Sequence, residues 1–592
     1  MTEPKISDYA LIGDTRTAAL CTAEGSLNWM CAPGFDSEPI FGKLIGGSSA
    51  GSFDMTVDEL TATRRSYRGD SSVLETEIDA RSGEGRLVEG MVMEVTGSLL
   101  PQTVLIRRLF CDRGTLTARV LFDPKLGLPG REPRAARRAQ TLVTEWGSLA
   151  VTLQSFPDMN VSPGREISIQ IPEKSDLTLV MTIADRAPAV FLSEDRAHAL
   201  LEETERWWRS WSADVKYDGP FRQSVVRSLI TLQLLTFSPS GAPVAAPTTS
   251  LPEEVGGVRN WDYRFSWPRD ASIGLAAFLA VGKQQTALSF LNWLLHTSRL
   301  TRPRLKVLYT PFGKAPPREQ DVDLVPGYRE SLPVRIGNDA RTQHQLDVYG
   351  WVVDAAWLLT NSGHDLQSET WRVISGMADF VSRHWHEPDA GIWEVRDEPV
   401  HYVHSKMMAW LCLDRTLRIA ATRRTRGGRK RRWARERDRI KADIREHGFD
   451  PALGSYVRSY GSSEVDAALL ILPVLEFEDR FARVKGTVDA VRRALETDGG
   501  LVYRYRPGFD GLEGGEGAFL PCSFWLVQAL ARIGRLEEAA DIFGSLLARA
   551  NDVGLFSEEI APSSGEFLGN FPQAFTHATL VQAALSLKRE AG

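Results

Sequence analysis

Cysteine is scarce in this chain. Only five occur in 592 residues, at Cys21, Cys31, Cys111, Cys412 and Cys522. Their number and wide spacing exclude a disulfide scaffold and a CxxC metal site. Net charge is nearly absent as well, with 70 basic against 76 acidic residues. That balance argues against a dedicated nucleic-acid binder, which would be basic overall. No apolar run reaches the roughly 18 residues that a membrane-spanning helix needs. The opening MTEPKISDYALIGD has no basic stretch followed by an apolar one. A secretory signal is therefore not expected, and the expected location is cytoplasmic. Phosphate-binding glycine loops, HExxH and GxSxG are missing from any convincing context. Tryptophan, by contrast, is plentiful: 16 Trp accompany 25 Phe. Most of these will serve the core, but indoles also hold ligands with flat apolar faces.

What is present divides the chain in two. Residues 1–195 carry short β-type runs, among them Ala18–Cys21, Val73–Ile78, Val104–Phe110, Thr117–Phe122, Ser148–Gln154, Glu166–Ile171 and Leu177–Ile183. Turn signals such as Glu24-Gly25, Gly83-Glu84-Gly85 and Asp112-Arg113-Gly114 separate them. Many short strands at close spacing predict an antiparallel β-sandwich. Residues 196–219 read as a linking helix bearing Trp207, Trp208 and Trp211. From residue 220 to 592 the apolar period becomes helical. It predicts twelve helices, near 221–236, 268–281, 284–298, 343–361, 369–386, 403–422, 433–447, 464–472, 479–496, 519–534, 536–550 and 572–589. Six helical hairpins are what an (α/α)6 barrel requires. Three long stretches, 237–267, 299–342 and 499–518, interrupt them. Loops this long in a compact domain usually carry function, and these are rich in Trp, Tyr, Arg and Gly. The run Arg423–Arg439 holds ten basic residues and no aromatic stacking set. It reads as a solvated turn between two outer helices, with nucleic-acid binding disfavoured. His401 and His404 lie three apart but have no carboxylate cluster around them in sequence, so hydrogen bonding is expected of them rather than metal binding.

The chemistry-bearing candidates are carboxylates set beside aromatics and glycine turns. Three segments stand out: NWDYRFSWPRDAS at 260–272, GIWEVR at 391–396 and GLFSEEI at 554–560. The last two fall in loops ahead of predicted helices. A surface Glu is ordinarily just solvated, so no one of these segments decides anything alone. Together, and in order, they resemble glycoside hydrolase family 15, the glucoamylase, glucodextranase and bacterial trehalase group. HSKMMAWLCLDR after the second segment and GEFLGNFPQAFTH after the third extend the resemblance. DYALIGDTRTAAL and GSLNWMCAPGFDS near the start resemble the opening of the trehalase-like members.

This resemblance implies an N-terminal β-sandwich followed by an (α/α)6 barrel, and an inverting hydrolase that releases β-glucose from the non-reducing end of an α-glucoside. It assigns Glu394 as general acid and Glu558 as general base, with Glu559 beside it as the alternative. Arg269 and Asp270 match the pair that holds the terminal glucose hydroxyls. Trp267 matches an aromatic of the same pocket, and Arg335-Ile336-Gly337-Asn338-Asp339 resembles another substrate loop, which makes Asn338 and Asp339 candidates. Cleaving a glycosidic bond calls for two carboxyl groups, one protonated and one ionised. An aromatic beside the acid, such as Trp393, would favour its protonated form. No redox cofactor and no catalytic metal are implied. The expected partner is a small α-glucoside or oligosaccharide, with neither nucleic acid nor membrane. Trehalose is the favoured substrate; malto- and isomalto-oligosaccharides remain the alternative. So does another reaction on the same barrel, such as phosphorolysis.

Overall fold

A computed structural model describes residues 3–93, 102–423, 428–506 and 508–591. Strands occupy the chain from Tyr9 to Asp185, and every pairing among them is antiparallel. One strand, Thr103–Phe122, belongs to two sheets. Its first half lies between Gly83–Met91 and Asp176–Asp185. Its second half lies between Phe53–Val57 and Ile167–Pro172. The two sheets close face to face as a sandwich joined through this strand. Arg107, fully buried on it, ties the layers: it pairs with Glu89 at 2.7 Å and donates to the carbonyls of Phe53 and Gly25.

The turn expected at Asp112-Arg113-Gly114 is instead a bulge inside that strand. Cys111 faces Gly85 and Arg113 faces Glu84, leaving Asp112 unpaired. Gly114, at φ +78°, absorbs the kink. Likewise Gly83-Glu84-Gly85 sits within a strand, and the chain turns just before it, at Arg81-Ser82.

Helix α1, Glu194–Ala213, is capped by Ser193, whose Oγ accepts the Arg196 N–H. Its Trp207, Trp208 and Trp211 meet edge to face, and Trp211 reaches Phe278 of the helical half. Twelve barrel helices follow among the described residues, beside short 3-10 turns. The outer ones are α2 Arg222–Leu234, α4 Gln284–Thr297, α6 Ser368–His384, α8 Gly428–His447, α10 Phe481–Leu495 and α12 Leu536–Leu547. Between them in sequence come the inner ones: α3 Pro268–Ala280, α5 Asp347–Asn361, α7 Val403–Thr422, α9 Ala467–Leu475, α11 Leu520–Arg532 and α13 Ala574–Ala591. Each inner helix packs on the next, and α13 returns to α3, which closes an (α/α)6 barrel. Helix α7 is buried nearly all round, as an inner helix must be. Helix α9 is short and begins as a 3-10 turn; Pro473 stands at its α-helical start and Glu476 ends it in the left-handed region.

The basic run is not a turn between outer helices. Much of it forms the first half of outer helix α8, which follows inner helix α7. Arg432 pairs there with Asp379, and Arg437 and Arg439 with Asp414 and Glu436. Residues 424–427 fall outside the described residues. One hydrophobic core runs from Ile6 to Leu587 through both halves. Among the described residues no helix is long and apolar enough to cross a membrane.

Candidate active site

The loops that enter the inner helices converge on one end of the barrel. There the helix N-termini present unpaired N–H groups and a partial positive charge. Asp270 and Asp347 sit in the first turns of α3 and α5, where that field favours carboxylates. The loops enclose a cavity of about 360 Å³. Its wall includes Trp267, Arg269, Asp270, Asn338, Asp339, Trp393 and Glu394. Seven of the eight residues proposed from sequence therefore share one surface. The eighth, Glu558, is only 1% exposed and meets the wall through Tyr263.

Glu394 lies in a tight loop before α7, with its backbone at φ +58°. Non-glycine residues rarely adopt that conformation, which costs on the order of 1 kcal/mol or more. The loop is held by another wall residue: Gln343 donates its side-chain amide to the carbonyls of Glu394 and Val395, at 3.0 and 3.2 Å. Trp267 Nε1 and Arg269 Nη2 both donate to Glu394 Oε1, at 2.9 and 3.1 Å. Oε2 has no protein partner among the described residues. Trp393 does not serve Glu394 in the way its position in sequence suggests. It lines the cavity but turns its N–H to Asp466, 2.9 Å away.

Arg269 is buried and held from several sides. Gln345 accepts from it at 3.0 Å, and Asp347 and Asp270 stand at 3.4 and 3.3 Å. Burial raises the Asp270 carboxyl to about 6, against the pull of Arg269. Asn338 caps a short 3-10 turn by accepting the Ala340 N–H, and Asp339 exchanges backbone and side-chain contacts with Glu319.

Glu558 and Glu559 point apart, as neighbours in extended chain do. Glu558 accepts from the Tyr263 hydroxyl at 2.7 Å and from the Asn570 N–H at 3.2 Å. Burial raises its pKa and the Glu253 carboxylate adds to this, while Arg504 opposes them. Burial and the nearby Glu558 keep the Tyr263 phenol protonated, so it serves as a donor. Glu559 faces Arg504 at 3.0 Å and accepts the Gly517 N–H at 2.7 Å. Arg504 Nη2 also meets Glu253 at 2.9 Å and Glu516 at 2.6 Å. The carboxylates of Glu253, Glu516 and Glu559 thus converge on a guanidinium nitrogen.

Several wall residues were not legible in the sequence: Glu253, Arg259, Arg504, Tyr505 and Asp510. The signal that pointed toward them was loop length. All three long stretches contribute to the wall, the middle one through Asn338 and Asp339. His404, expected to hydrogen-bond, makes no such bond through its ring among the described residues. Its ring is fully buried near Arg269, and burial followed by that charge lowers its pKa to about 3. His401 stacks on Tyr460.

Comparison with known proteins agrees with this architecture. Residues 219–585 match the family described as Glycosyl hydrolases family 15, and residues 2–193 match the trehalase-like N-terminal family. The chain is 35% identical to a trehalase of Mycobacterium tuberculosis, over 99% of this chain and 90% of that protein. It is 33% identical to a trehalase of Thermoplasma volcanium, over 99% and 94%. Among solved structures, a bacterial glucoamylase complexed with acarbose superposes with a TM-score of 0.67 at 13% identity, covering 99% of this chain and 96% of that one.

Proposed function

Because the chain belongs to glycosyl hydrolases family 15, we propose that it hydrolyses trehalose to two glucose molecules with inversion at the attacked carbon. One observation carries the reading: a single segment, 263–269, grips both carboxyl groups. Tyr263 holds Glu558, while Trp267 and Arg269 hold Glu394. The full-length similarity to proteins named trehalase supports the choice of substrate.

In this reading the terminal glucose lies against Arg269 and Asp270, whose charged groups bind its hydroxyls. Glu394 gives its proton to the oxygen joining the two sugars. Glu558 removes a proton from a water that attacks C1 from the opposite face. The C1–oxygen bond breaks as the bond to water forms, and the second glucose leaves with the proton from Glu394. The base is assigned to Glu558 because it touches the wall through one phenol, whereas Glu559 is engaged by Arg504. Water and two protein carboxyl groups complete the step.

The test is a panel of trehalose, maltose and isomaltose with anomer-resolved NMR. Trehalose should be cleaved best, giving α- and β-glucose in equal initial amounts, since only the attacked carbon inverts. Exclusive α-glucose would rule out inversion, and maltose as the preferred sugar would rule out the substrate. Glu394→Gln and Glu558→Gln should each lower kcat by at least about a hundredfold with the fold retained by circular dichroism. An active Glu558→Gln beside a dead Glu559→Gln would move the base to Glu559.

A further inference from the structure

At the mouth of the cavity two guanidinium groups stand over one indole. Arg396 lies 4.4 Å and Arg335 4.6 Å from the centre of the Trp261 ring. Trp261 and Arg396 both line the cavity. Glu319 stands with both cations: it accepts two hydrogen bonds from Arg396, at 2.9 and 2.6 Å, and approaches Arg335 at 3.7 Å. Glu319 belongs to the stretch 299–342, and its side chain is 10% exposed. Its Oε2 also accepts the Asp339 N–H.

The two arginines are not held equally. Arg335 is anchored by Asp321 at 3.5 Å and by the carbonyls of Val258 and Asn260. Arg396, 37% exposed, has Glu319 as its sole hydrogen-bonding or ionic partner among the described residues. Two like charges over one ring repel, so the position of Arg396 depends on Glu319. Without it, Arg396 keeps only its cation–π contact with Trp261, at 4.4 Å, against a neighbouring cation that pushes it toward water.

We propose that Glu319 and Arg396 form a clamp across the rim that restricts substrates to one sugar beyond the scissile bond. This deepens the reading above and rests on it. Arg269 is buried and Asp270 half-buried at the barrel end, so the terminal sugar goes deep. Arg396 follows Glu394 by two residues, and the leaving sugar meets it together with Trp261. The Arg396 guanidinium, stacked on the indole, donates to the hydroxyls of that sugar. A third sugar would have to pass through the place the Arg396–Glu319 pair occupies. The clamp therefore acts by exclusion as well as by contact.

The test is the profile of kcat/KM against chain length, using trehalose, maltose, maltotriose and maltopentaose. For the native protein, kcat/KM should fall by about tenfold or more from maltose to maltopentaose. Glu319→Ala should flatten that fall to about threefold or less, with the trehalose KM raised because the leaving sugar loses the contact with Arg396. Arg396→Met keeps an apolar stem over Trp261 and loses the ion pair; it should flatten the profile in the same way. Thermal melts check that both variants fold. A native-like length profile in both variants overturns the clamp, as does equal loss on every sugar. A native protein that cleaves maltose but not trehalose overturns the trehalose reading alone, and the length profile still decides the clamp. Failure to cleave any of the four overturns both, and cleavage of trehalose alone overturns the clamp, which requires maltose to be accepted.

Discussion

Glu253 shows how much one carboxylate can set without belonging to any recognisable motif. It lines the cavity, meets Arg504 and raises the pKa of Glu558 by like charge. If Glu558 must be ionised to work, the acidic limb of kcat/KM lies above the usual carboxylate range. Glu253→Gln removes the like charge and frees Arg504 to act on Glu558. The limb should then move to lower pH; a limb that stays put would exclude this coupling. Asp389 carries a second prediction. It is buried, accepts the Leu346 N–H at 2.8 Å, and is raised by burial to about 7. The folded state thus binds a proton between roughly pH 4 and 7 that the unfolded chain has released, and this group's contribution to stability declines as pH rises through that window. Asp389→Asn removes the titration. The Tm of the variant minus that of the native protein should therefore rise with pH from 4 to 7. At this scale the sequence was legible where residues sat in contiguous motifs, as Arg269, Asp270 and Glu394 do. Glu253 and Arg504, 251 positions apart, meet only after folding, and no spacing rule links them.

Elements position these side chains through turns that tolerate little. Gly569, at φ +70°, lies in the extended turn after the three-stranded sheet of Ala518–Phe519, Glu559–Ile560 and Phe567–Leu568. A Cβ there would stand 2.4 Å from Glu558 Oε2. Gly569→Ala should cost about 1–3 kcal/mol of stability from backbone strain. It should also lower kcat by more than that destabilisation explains, because the displaced atom is the proposed base. Melts and kinetics on the same sample check this, and native kcat in a destabilised protein would contradict it. The helices were readable because ten to twenty residues of 3.6 periodicity outweigh local noise. The bulge at Asp112 was not. Bulges and turns recruit the same residues, a polar residue followed by a left-handed glycine, and only the pairing of the flanking strands distinguishes them.

At the scale of the whole molecule, the sheet half and the helical half are bound through their interiors. The core is continuous between them, Trp29 donates to the Pro247 carbonyl at 2.8 Å, and Arg65 pairs with Asp552 at 2.7 Å. Arg264 reaches the Ser37 carbonyl at 2.8 Å while paired with Asp262, beside Tyr263. Residues 194–592 expressed alone should therefore be insoluble or lack a cooperative melt; a soluble, fully active fragment would refute the shared core. Periodicity revealed two halves but not this dependence, because a buried face reads the same whatever covers it. The consequence reaches beyond stability. The segment that grips both carboxyl groups is braced from the far half, so the two halves are not interchangeable modules. A recombination that joined this barrel to a foreign sheet would separate Arg264 from its brace, and with it the alignment of Tyr263. In this chain the working site is thus a property of the pair, because the brace on its central segment comes from the other half.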